Sequence, residues 1–127
     1  MRAQKGYLMS EPYNGWTGGY VTWAVNLWLS NEEWSDRAMS ERALTAIQDT
    51  EPEDDDSVRF DSKHKAAAVL EFMGGYGPRC DLREWVEGNY QLPTEGLAGD
   101  LLGSALDDVN WEEIAVSWIE SNVEWSE

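Results

Sequence analysis

Hydrophobic and polar positions along these 127 residues repeat with the helical 3.6-residue period in several stretches and nowhere settle into strand-like alternation. Tyr20, Trp23, Ala24, Leu27 and Trp28 fall at i, i+3, i+4, i+7 and i+8. That spacing predicts a helix from Tyr20 to Leu29, capped by Thr17, with the stripe turned to the core. Asn31 ahead of Glu32-Glu33 predicts a stop and a new N-terminus. The second helix runs to about Gln48 with Trp34, Ala38, Ala43, Leu44 and Ile47 facing inward.

Asp61 or Ser62 caps a third helix carrying Ala66, Val69, Leu70 and Met73, which Gly74-Gly75 ends. Pro78 suits the first turn of a short fourth through Leu82, Trp85 and Val86, ended by Gly88-Asn89. Thr94 precedes a fifth from Leu97 to Leu106, whose Gly99 and Gly103 suggest a close helix crossing. Asn110, with Glu113 three residues on, opens a sixth whose apolar face is Ile114, Ala115, Trp118 and Ile119. The pattern predicts an all-α fold: a single-domain bundle of five to six short helices. An aromatic-rich N-terminal loop fills residues 1–18, an acidic loop 50–58 and a flexible tail 120–127, and a short strand or hairpin within 1–18 stays open.

Composition supports a packed core: 42% of the residues are hydrophobic, including eight Trp, five Tyr and two Phe. The Trp residues at 16, 23, 28, 34, 85, 111 and 118 repeat at helical spacing and are expected in that core. Trp125, in the tail, is the candidate partner anchor. No apolar stretch is long enough for a signal sequence or a bilayer span, and one cysteine, Cys80, allows no internal disulfide. These features predict a cytoplasmic protein in a reducing compartment, away from membranes.

Charge changes the picture most. Twenty-five acids against nine bases leave a net −16, which opposes direct contact with nucleic acid or an anionic membrane. Residues 1–50 hold 6 acids and 4 bases, 51–95 hold 11 and 5, and 96–127 hold 8 and none. Two acidic groups follow: Glu51, Glu53, Asp54, Asp55 and Asp56 in the loop, and a ridge of Asp107, Asp108, Glu112, Glu113, Glu120 and Glu124 around the last helix. With no Lys or Arg in the final segment, the ridge reads as an unneutralised surface complementary to a cationic one. Acidity serving only solubility or salt adaptation is the competing explanation.

Catalytic chemistry finds little support. His64, between Lys63 and Lys65, is expected to be an exposed neutral imidazole, and Cys80 would need the fold to bring His64 to it. Asp54, Asp55 and Asp56 lack the spacing and glycine of a Ca²⁺ loop, so no metal or other cofactor is expected. Gly74-Gly75-Tyr76-Gly77 lacks the Lys-Ser/Thr of a phosphate loop and reads as a helix stop.

The stretch Tyr13-Asn14-Gly15-Trp16-Thr17, continuing through Tyr20-Val21-Thr22-Trp23 to Leu27-Trp28-Leu29-Ser30-Asn31-Glu32, resembles the opening of an uncharacterised family of small acidic proteins encoded by phages, plasmids and other mobile elements. Gly96 to Ile119 is similar to that family's closing region. The chain departs from the pattern with an extra glycine at Gly18-Gly19 and with Val21 in place of an acid, which leaves the start of the first helix open. No activity transfers to individual residues, and Trp16, Trp23, Trp28 and Trp111 read as core pins. The resemblance implies a setting in which small acidic proteins disarm host defences. The leading expectation is a non-enzymatic inhibitor that offers a DNA-like acidic surface to the basic nucleic-acid-binding surface of a CRISPR-Cas or restriction complex. The alternative is a helical accessory protein with apolar contacts, either to a partner or to a second copy in a homodimer.

Overall fold

A computed structural model describes residues 11–51 and 61–123. Within them the chain forms α1 (Gly19–Asn31), α2 (Glu33–Asp49), α3 (Ser62–Met73), a 3₁₀ turn (Gly77–Arg79), α4 (Asp81–Asn89), α5 (Gly96–Asp107) and α6 (Trp111–Ser121). The fold is all-α, with six α-helices and no strand among the described residues. Glu120 and Ser121 belong to α6 rather than to a tail, because Ile119 at their side is fully buried and the helix persists under it.

Helix α6 is the hub. Its stripe Trp111, Ile114, Ala115, Trp118 and Ile119 is buried as the pattern predicts, against α3, α2 and α1. The stripe meets Phe72 from α3, Met39 from α2 and Leu29 from α1, all with no exposed surface, in one continuous apolar cluster. Burying side chains of that size contributes roughly 1.5–3 kcal/mol each before entropy is counted, so α6 and its neighbours hold most of the stability.

Local signals set the helix ends. The Asp61 carboxylate accepts from the His64 amide at 2.8 Å, the expected cap of α3. Gly74 closes that helix in the left-handed region at φ 68°, and a Cβ there would sit 2.5 Å from that of Asp81. The fourth predicted helix divides: Pro78 lies in the 3₁₀ turn, and α4 starts anew after Cys80. Ahead of α1, Tyr13 and Trp16 exchange backbone hydrogen bonds across Asn14-Gly15, both at positive φ, which makes the smallest of hairpin turns.

Two glycine expectations change. Gly99 admits the backbone of Thr94, 2.5 Å from where a Cβ would stand, so it closes α5 onto its own preceding loop and not onto a crossing helix. Gly103 faces Arg83, whose Nη2 donates to its carbonyl at 3.2 Å. His64 also departs from expectation. It is only 5% exposed, and its Nε2 lies 3.0 Å from the Ile47 carbonyl, because the first turn of α3 packs onto the end of α2.

Candidate functional site

The predicted acidic ridge is broken up by the partners its members find. Asp107 accepts from Arg83 Nη1 at 2.6 Å, and that guanidinium, almost wholly buried, also donates to the Pro78 carbonyl at 2.7 Å. The hydrogen bond from Arg83 holds the Asp107 carboxyl below the usual carboxylate range. Glu120 pairs with Lys65 of α3. Glu113 does not reach back to its own cap in a capping box. Its carboxylate accepts from the Thr17 and Gly18 amides, at 2.8 and 2.7 Å, where α1 begins. An anion at a helix N-terminus is favourable there, since the first amides have no partner within the helix.

Cations from distant segments thus neutralise part of a region that has none of its own. Asp108 and Glu112 remain exposed without an ion pair among the described residues, as does Glu51 at the end of α2. Glu53, Asp54, Asp55, Asp56, Glu124 and Trp125 lie outside the described residues. Acids occur on every described helix but α1, so the negative charge of the described residues is not gathered on the last helix.

Helix α1 holds the larger surprise: it is turned inside out relative to its pattern. Its inner side carries Thr22 and Asn26 with Val21, Val25 and Leu29. Thr22 Oγ1 accepts from the Asn110 amide at 2.9 Å and donates to the Gly18 carbonyl at 3.0 Å. Asn26 Oδ1 accepts from the Trp118 indole at 2.8 Å. Gly18 lets these two N-termini meet, since a Cβ there would lie 2.7 Å from that of Asn110. The predicted core stripe is left pointing outward: Trp28 is 59% exposed and Tyr20 47%, with Trp23, Ala24 and Leu27 half-buried. Trp28 is therefore no core pin, Trp16 and Trp23 are partial ones, and Trp111 alone of the four is fully enclosed. Trp34 and Leu44 likewise face out from α2, which buries Ser35, Met39 and Ala46 beside the expected Ala43.

The outward residues are organised. Tyr13, Tyr20 and Trp23 pack edge-to-face or tilted, with ring centroids 5.0–5.5 Å apart, on one flank of α1. On the other flank a groove of about 350 Å³ runs between α1, α4 and α5, walled by Ala24, Trp28, Val86, Tyr90, Leu92 and Leu102. The Tyr90 hydroxyl donates to the Trp28 carbonyl at 3.1 Å, and its ring meets Trp34 at 5.0 Å. Burial raises the Tyr90 pKa above its ordinary value, against a hydrogen bond with Ser35 and with the help of the Glu32 carboxylate. Beside the groove, α5 exposes Leu97 and Leu101, at 77% and 64%.

From Pro12 to Asn31 the chain has no charged side chain at all, in a protein of net −16. An uncharged, aromatic-rich, outward helix is the kind of contiguous apolar surface that marks a contact site. Sequence reasoning missed it by assigning the stripe to the core. The opposing Thr22 and Asn26, polar at core-compatible positions, were the signal that both faces needed a partner. Comparison with known protein families, curated proteins and solved structures finds no match. No described helix is long and apolar enough to cross a membrane.

Proposed function

We propose that this protein acts by binding another protein, through the uncharged outer face of α1 and the adjoining groove, and not by catalysis. The observation that carries the reading is that outward face: Tyr20, Trp23, Leu27 and Trp28, uncharged and mostly aromatic, on the one described helix without an acid. Large aromatics at an uncharged centre with charge at the periphery match the anatomy of binding hot spots. The sole imidazole and the sole thiol both lie in the interior, His64 held against Ile47 and Cys80 at 1% exposure, which suits a role in packing. The resemblance of residues 13–32 to proteins of mobile elements adds a setting, interference with a host defence complex in the cytoplasm. The residues of that motif then serve partly as the contact surface itself.

The DNA-mimic reading keeps one specific support, the exposed Asp108 and Glu112 within a surplus of 16 negative charges. One experiment separates the two. With the partner captured from host lysate, Trp28→Ala should release it, whereas the double reversal Asp108→Lys with Glu112→Lys should leave capture unchanged. The opposite pair of results would establish the acidic surface as the contact.

A further inference from the structure

The groove beside α1 has apolar walls, and the elements around it are acidic. Its lining is apolar, and the elements that form it carry more acids than bases: Glu84 and Glu87 on α4, Glu95 in the following linker and Asp100 on α5, with Glu32 just past α1. Those elements hold one cation, Arg83, which is 3% exposed, donates to Asp107, Pro78 and Gly103, and pairs with Glu87 at 3.6 Å. Glu87 is thereby paired within α4, while Glu32, Glu84, Glu95 and Asp100 have no ion pair among the described residues.

We infer that the groove accepts a partner segment with one or two large apolar side chains flanked by Lys or Arg, a basic amphipathic helix being the simplest such shape. This deepens the protein-binding reading and rests on it. A space of about 350 Å³ lies at the small end of ligand cavities and suits side-chain anchors. Helix-in-groove recognition uses apolar anchors at i, i+3, i+4 and i+7, and basic flanks would be drawn to the acidic elements around the groove. A second copy fits less well, because it would set like charges against each other in a chain of net −16.

The test uses the full chain, isotopically labelled, with two synthetic helical peptides that share a leucine face and carry either Lys or Gln elsewhere. The Leu/Lys peptide should shift the resonances of Val86, Leu102 and the Trp28 indole and bind about tenfold tighter than the Leu/Gln peptide at low salt, the gap closing as salt rises. Trp28→Ala should weaken both by about tenfold. Equal affinity of the two peptides in the groove would overturn the basic-flank inference and leave the protein-binding reading standing. Shifts spread over the acids of α2 and α3 with the groove silent would overturn the inference as well. A concentration-dependent dimer abolished by Trp28→Ala would assign the groove to a second copy and overturn the basic-partner inference too. Failure of the α1 reading itself shows separately, as partner capture that Trp28→Ala does not disturb.

Discussion

Helices α1 and α6 carry the same kind of apolar period and meet opposite fates. In α6 the stripe Trp111, Ile114, Ala115, Trp118, Ile119 is sealed by three neighbouring helices. In α1 the stripe from Tyr20 to Trp28 faces out, while Thr22 and Asn26 are drawn inward by groups at the start and middle of α6. Period 3.6 identifies a face; it does not name what covers that face. A polar residue whose hydrogen bond is waiting on the hub helix can decide the rotation of its neighbour, since a buried unpaired donor costs about 1–3 kcal/mol.

If that contrast is right, truncations on the two helices differ most. Ile114→Ala should lower unfolding free energy by about 2–5 kcal/mol, and Trp28→Ala by no more than about 0.5–1 kcal/mol despite the larger side chain removed, both measured by urea denaturation. Equal losses would place Trp28 in the core and break the comparison. Next in size is Arg83→Met, expected to cost about 2–3 kcal/mol, because the Pro78 and Gly103 carbonyls lose their donor while the half-exposed Asp107 can rehydrate. Arg83→Lys should restore less than half of that, a single ammonium being unable to span three acceptors.

Smaller effects sharpen the division among the acids. Glu113→Gln should cost about 1–2 kcal/mol and raise hydrogen exchange at the Thr17 and Gly18 amides, whereas Glu112→Gln should change stability by less than about 0.5 kcal/mol. The smallest effect is on pH. The Asp107 carboxyl is held low in the folded chain, so its stabilising contribution is complete above the ordinary carboxylate value, about 4, and disappears as pH falls through the lowered folded value. Asp107→Asn should therefore remove part of the acid limb of the stability curve; an unchanged limb would mean that Arg83 does not act on that group.

Much of the fold was legible in the residues. Asp61 and Asn110 cap α3 and α6 as expected, Gly74 ends α3, and the inward face of α6 follows its pattern, because caps, stops and a central stripe depend on neighbours within a turn or two. The candidate site was legible only as composition. The uncharged run from Pro12 to Asn31 is plain in the chain, but its apolar period was indistinguishable from that of a buried helix. Nor did counting charges by segment foresee that Lys65 and Arg83 would reach the acids of the last segment, because ion pairs form across space between residues far apart in sequence.

By itself, then, the order of residues determined the helices, the caps of α3 and α6, the inward stripe of α6 and a large negative charge, all of which follow from short-range stereochemistry and from sums. Which side of α1 lies inward, which carboxylates are neutralised and where an apolar groove opens were decided by tertiary packing. Each depends on which distant donor, cation or wall arrives opposite a given side chain, and that is a property of how the helices assemble around α6.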